Sequence, residues 1–179
     1  TKKNTFLEEI QDKSDAKKLR FSIEDDKQVI KPLTYQSLEQ GMVVMGRIRE
    51  ISQYHMFVCL PGRLSAKVSV AAISTPYTEN LKKLQNLELT SKECPPLTDL
   101  FRVGQAVLCS ILEVKREGEL MSVSVSLEPS LVNSERSHYT LRTGQTIQAA
   151  VCTEEDYGYT LHTGVVGLTT FLSRNNARR

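Results

Sequence analysis

Four cysteines, three histidines and one run of three acids are the side chains of this 179-residue sequence best equipped for chemistry. Cys59, Cys94, Cys109 and Cys152 lie far apart with no Cys-x-x-Cys pair, and only His55, His138 and His162 could join them. Structural zinc sites draw on closely spaced ligand pairs, so this scatter argues against a metal and suits buried thiols in a reducing compartment. Glu154, Glu155 and Asp156 are adjacent. Neighbours on an extended chain point to opposite faces, so the run reads as a solvated acidic loop rather than a cation cage. Ser69 and Ser122 sit in no nucleophile elbow, and no glycine-rich phosphate cradle is present. These residues make up no catalytic, metal or cofactor constellation, and the chain is expected not to be an enzyme.

Composition narrows the classes further. Charged residues make up 25% and apolar residues 40% of the chain, a globular balance able to bury a core. No apolar run is long enough to span a bilayer, so neither a membrane nor a small-molecule partner is implied. A net charge of +2 does not by itself announce a nucleic-acid binder. The chain begins Thr1-Lys2-Lys3 without a methionine, which reads as a fragment or the ordered part of something larger.

The elements that must position any site are read from a phrase that recurs three times at unequal spacing. A glycine opens an apolar/polar alternation at Gly41, Gly104 and Gly144. Residues 1–37 have too few apolar side chains for a core and read as a tail or linker, with Leu7, Ile10 and Leu19 spaced for a docked helix as a lesser alternative. After Gly41, Val44, Gly46 and Ile48 alternate with Met45, Arg47 and Arg49, which predicts a half-buried strand. Runs 54–60 and 64–70, separated by Pro61-Gly62, predict two more.

Residues 75–99 read as an insertion, with a helix capped by Thr78 and carried by Leu81, Leu84 and Leu87. The second phrase leads into strand 105–114, a charged turn at 115–119 and strand 121–127. The third phrase behaves like the first: a strand over 144–151, the acidic turn, a strand at 160–162, and another over 165–172. Copies one and three therefore open units, and copy two closes the first. Five short strands, three then two, with a long connection before the fourth, match an OB-type Greek-key barrel, with a generic small β-barrel as the alternative. The expected fold is all-β, with tandem five-stranded barrels of which the second is incomplete. The expected divisions are tail 1–37, first domain 38–130, linker 131–140 and the first three strands of a second domain over 141–179.

These residues resemble the S1 RNA-binding domain, a branch of the OB fold. Gly41, Gly46, Val103-Gly104-Gln105-Ala106-Val107 and Val123 to Leu127 match the framework of one such domain. Asp156-Tyr157-Gly158-Tyr159 and Val166-Gly167-Leu168 match strands two and three of another. A narrower similarity, carried by Leu60-Pro61-Gly62, Tyr77, Lys82-Lys83, Pro95-Pro96 and Glu128-Pro129, is to the N-terminal repeats of a family of multi-S1 ribosome biogenesis factors. That resemblance implies a nucleolar or nuclear protein acting in pre-ribosomal RNA processing. Its partners would be single-stranded or structured pre-ribosomal RNA and assembly-factor proteins.

OB-type domains stack unpaired bases on exposed aromatic rings while cations track the phosphates. The resemblance puts the two aromatic positions of the first unit on Tyr54 and Phe57, with Arg47, Arg49, Arg63 and Lys67 as nearby cations. In the second unit it puts Tyr157 first, with Tyr159 beside it, Thr160 at the second aromatic position and Thr170 at the strand-three histidine. His162 and Arg174 are further polar candidates. Departures are also legible: His55 replaces the glycine between the aromatics, Ser69 the histidine and Lys115 an aspartate. Phe57 reads equally as core, and Arg47 and Arg49 as a solvated face. Three functional readings follow: a non-catalytic RNA-binding segment, a protein-docking scaffold using 75–99, or an RNA-guiding appendage of a nuclease.

Overall fold

In the computed structural model the described residues are 32–86, 94–117 and 120–177. The closed barrel has the order β1-β2-β3-β5-β4, with β1 Val43–Ile51, β2 His55–Leu60, β3 Leu64–Ser69, β4 Ala106–Glu117 and β5 Leu120–Ser126. This is the OB-type order. All neighbours are antiparallel except β3 and β5, which run parallel through Lys67↔Ser124 and Val68↔Val125. β4 is the long strand and closes the barrel by pairing with both β1 and β5.

Period-two alternation supplies the core. Ile48, Met56, Val58, Leu60, Leu64, Ala66, Val68, Ile111, Val123 and Val125 all point inward and are buried. Each large apolar side chain so buried contributes about 1.5–3 kcal/mol. Gly46 lets β1 and β2 approach, because a Cβ there would lie 2.3 Å from Val58 Cγ1. Residues 33–38, assigned by sequence mostly to the tail, lie against this barrel. Leu38 is core, Leu33 and Tyr35 pack on it, and the Tyr35 hydroxyl accepts from Ser65 N–H at 3.3 Å.

The recurring glycines share one backbone state. Gly41, Gly104 and Gly144 have φ of 85°, 89° and 91°, the left-handed conformation that the third position of a tight turn needs. In copies two and three the turn is tied identically: Gln105 and Gln145 accept from the Arg102 and Arg142 backbone N–H through their side-chain oxygens.

The insertion contains α1, Thr75–Gln85, and α2, Leu97–Leu100. Ser74, not Thr78, caps α1: its Oγ accepts from Tyr77 N–H at 3.3 Å. Pro76 explains the earlier start, since proline has no N–H to lose in a first turn. Thr78 instead donates its hydroxyl to Ser74 O. Leu87, the tail helix and the 118–119 turn fall outside the described residues, whereas residues 115–117 belong to β4.

After α3, Pro129–Val132, a three-stranded antiparallel sheet follows: β6 Ala150–Glu155, β7 Gly158–His162 and β8 Thr170–Ser173, ending in α4, Arg174–Ala177. The strands expected over 144–151 and 165–172 are shorter and later than their sequence suggested. In the barrel, the early half of β1 pairs with β4. Among the described residues no strand plays that part for residues 145–149, so they join no ladder there. Both units bulge at the same place, between Ile48 and Glu50 and between Val151 and Thr153. Ile48 therefore corresponds to Val151, Tyr54 to Tyr157, Phe57 to Thr160 and Val58 to Leu161. Residues 33–179 form one compact unit.

Candidate nucleic-acid interface

Because Met56, Val58, Leu64, Ala66 and Val68 face the core, alternation turns His55, Phe57, Lys67 and Ser69 outward on β2 and β3. Register pairs His55 with Ser69 and Phe57 with Lys67. Phe57 is thus a surface aromatic, and the core reading does not hold. Arg49 lies 5.6 Å from its ring centroid, and His55 meets it edge-on at 5.1 Å and 85°. Tyr54, at the β1–β2 turn, is 67% exposed. Beside it a cleft of about 410 Å³ is lined by Tyr54, His55, Lys67, Ser69, Leu112 and Ser124 among others, without an acidic residue. This surface presents aromatic rings, hydroxyls and an ammonium, a set suited to bases, ribose and phosphate.

Two predicted cations lie apart from it. Arg47 Nε donates to Gly104 O at 3.1 Å, so this arginine fastens β1 to the turn before β4. Arg63 lies in the turn between β2 and β3, at the other end of β2 from Tyr54 and roughly 20 Å away at strand rise.

In the second unit Tyr157 is 84% exposed at the β6–β7 turn. Tyr159 is not its companion. Tyr159 corresponds to buried Met56 and pairs with Leu172, on the opposite face of the sheet from Thr160. Arg174 goes with it: its guanidinium is 5.7 Å from the Tyr159 ring and donates to Glu154 Oε1 at 2.9 Å and Glu155 O at 3.0 Å. Register also corrects the strand-three position. Ser173 lies opposite Gly158 as Ser69 lies opposite His55, whereas Thr170 pairs with Leu161 and corresponds to Ala66.

One outward aromatic was missed. Phe171 pairs with Thr160 as Lys67 pairs with Phe57; it is 51% exposed and its ring lies over Gly158, where a Cβ would come 2.6 Å from Phe171 Cζ. Counting register back from Gly158, rather than matching the Gly167-Leu168 phrase, was the signal that finds it.

His162 serves the junction between the units. Its Nε2 is 3.4 Å from Glu128 Oε1, and Glu128 also accepts from Thr75 Oγ1 at 3.0 Å and Ser130 Oγ at 3.1 Å. Buried Asn133 donates both amide hydrogens, to Gln148 O at 2.7 Å and Thr163 O at 2.8 Å. A Cβ on Gly164 would come 2.1 Å from Ser130 Cα, so only glycine allows this approach. Of the segment 131–140, read from sequence as a linker, Asn133 takes part in this junction.

The cysteines divide evenly. Cys94 and Cys109 are buried and Cys59 and Cys152 exposed, all free, so only half match the expectation of buried thiols. Burial pushes the Cys109 thiol up to about 11. The Cys152 thiol is also raised, by desolvation first and then by the Glu79 carboxylate, which places α1 beside β6. Between α1, β4 and residues 146–152 lies a second cleft of about 760 Å³, lined by Met45, Tyr77, Phe101, Leu108, Ile147 and Tyr159 among others.

No family model matches the chain. It is 34% identical over 161 residues to the Protein RRP5 homolog of Mus musculus, covering 89% of this chain and 9% of that protein. The Homo sapiens Protein RRP5 homolog is 33% identical over 142 residues, covering 78% and 8%. The Drosophila melanogaster rRNA biogenesis protein RRP5 is 30% identical over 141 residues, covering 78% and 10%. The chain thus spans only about a tenth of the length of the curated relatives it matches. Among solved structures it is similar to a chain of the a/eIF2alpha-aDim2p-rRNA complex of Pyrococcus horikoshii, with a TM-score of 0.36, 21% identity, and 51% and 45% of the two chains covered. GSP13 of Bacillus subtilis gives a TM-score of 0.37 at 16% identity, covering 62% and 65%. Along most of its length the chain is thus similar in sequence to a short segment of the RRP5 homologues, and it holds a closed five-stranded barrel of OB-type order.

Proposed function

We propose that this chain is a non-catalytic, RNA-binding segment of a ribosome biogenesis factor of the nucleus and nucleolus, taking single-stranded stretches of pre-ribosomal RNA across the outward faces of β2–β3 and β7–β8. The observation that carries this reading is the outward placement of Phe57 beside Arg49 and opposite Lys67 on an OB-type barrel, with Lys67 and Tyr54 lining one cleft. Strands two and three are where such barrels meet oligonucleotides. Similarity to a segment of proteins named for rRNA biogenesis supports it. Tandem units on one RNA would turn weak contacts into stable association by raising effective concentration.

Fluorescence anisotropy with a labelled single-stranded RNA, titrated at two salt concentrations, tests this. Binding that weakens with salt and falls when Lys67 is replaced by alanine is expected, the log–log salt slope shrinking by about 0.7 for one lost phosphate contact. Absence of binding at low salt would overturn it. Assembly-factor proteins are the second class of partner in this reading. The apolar cleft between β4 and residues 146–152 favours a protein contact there, which pull-down after Met45→Asp substitution would test.

A further inference from the structure

We infer that base stacking is concentrated on the second unit, where Tyr157 at the β6–β7 turn and Phe171 across Gly158 are exposed, open rings, while the first unit mainly holds phosphate. This rests on the RNA-binding reading above and assigns Phe171 as a base-stacking residue. In the first unit the Phe57 ring is already occupied: His55 meets it edge-on and Arg49 lies against it. A base can stack there only by displacing a neighbour the ring already holds. In the second unit the residue corresponding to His55 is Gly158. With no side chain in the way, Phe171 settles across the glycine, directly after the exposed Tyr157. Among the described residues neither ring is paired with a cation or another ring.

Charge tells which part of the strand belongs where. Arg174 is turned to Tyr159 and Glu154, and His162 to Glu128. Glu155 and Asp156 stand beside Tyr157 at the same turn. Phosphates are not drawn to this tip, whereas a neutral base is accommodated, its exocyclic amino group able to donate to a carboxylate. On the first unit Lys67 lines a cleft without an acidic residue, and Arg49 lies against Phe57, with Glu50 and Glu113 outward at the β1 and β4 positions of the same row. The ligand is thus a single strand whose phosphates follow β2–β3 and whose splayed base lies on Phe171.

Anisotropy titration of the chain with a mixed-sequence single-stranded RNA, and with an abasic oligonucleotide of equal length, separates the parts. Phe171→Ala is expected to weaken the base-bearing RNA about fivefold to 100-fold and leave the abasic one unchanged, since stacking is lost and backbone contact kept. Phe171→Leu keeps apolar bulk for folding and should still lose affinity; Phe171→Tyr should keep it. Phe57→Ala should cost less than Phe171→Ala. If the parent chain binds but Phe171→Ala and Phe171→Leu stay within twofold of it, or Phe57→Ala costs more, the inference is wrong and RNA binding stands. If the parent chain binds neither oligonucleotide, the RNA reading itself is wrong.

Discussion

The barrel and the following sheet begin alike and end differently. Both open with a left-handed glycine turn, bulge at the same step of the first strand and expose a tyrosine at the first hairpin. In the barrel, Ile48 is 1% exposed; its counterpart Val151 is 53% exposed. The two residues have the same kind of side chain at the same register, so their identity does not decide burial. β4 and β5 do, by closing the barrel over Ile48, while no described strand covers Val151. The same contrast governs the faces: Tyr159, where the barrel has Met56, is left with Arg174 and Glu154 for company. Core and surface are therefore properties of the closed ladder, and the local pattern only proposes them.

The largest difference between the two regions should appear on truncating those counterparts. Ile48→Ala is expected to cost about 2–5 kcal/mol in urea unfolding, as a buried aliphatic replaced by a cavity, and Val151→Ala under about 0.5 kcal/mol. Equal costs would mean that the second sheet is as closed as the first. Next is pH. Cys109 is buried in the barrel with its thiol raised from 9.0 to about 11, so the unfolded chain deprotonates first. The stabilisation is complete below about pH 9 and is lost as pH rises through 11, amounting to about 2–3 kcal/mol. Cys109→Ala should flatten that limb, and an unchanged slope would remove the thiol as its cause.

A smaller effect belongs to the joint. Asn133→Ala leaves the Gln148 and Thr163 carbonyls without their donor and should cost about 1–3 kcal/mol. Hydrogen exchange should quicken in β7 and leave β1 to β5 unchanged, whereas uniform loss of protection would mean that the joint is part of the barrel's own stability. The smallest effect concerns reactivity without unfolding: Cys59 and Cys152 should label with a thiol reagent while Cys94 and Cys109 stay protected.

Much of the barrel was legible because the alternation of Val44, Gly46 and Ile48, the Pro61-Gly62 turn and the first two glycine phrases are local signals that tertiary structure did not override. The positions of Tyr54 and Phe57 came from the resemblance, and the alternation along β2 turns Phe57 outward. The outward position of Phe171 and the contacts of Tyr159, Arg174 and His162 were not legible. Each depends on cross-strand register after a glycine-rich loop, where one residue of slip exchanges the two faces. The Glu128 and Asn133 joint was hidden because its partners, Thr75, Gln148, His162 and Thr163, are distant in sequence. Ser74 is the cap because Pro76 places the first turn of α1 ahead of Thr78.

The central claim is that the outward faces of β2–β3 and β7–β8 meet RNA, and amide and side-chain NMR shifts during titration with single-stranded RNA test it most directly. The account predicts perturbation at Lys67, Phe57, Tyr157 and Phe171, with Arg47, Tyr159 and Arg174 unmoved. Shifts confined to Tyr159, Met45 and the cleft beside β4, or no shifts at all, would contradict it.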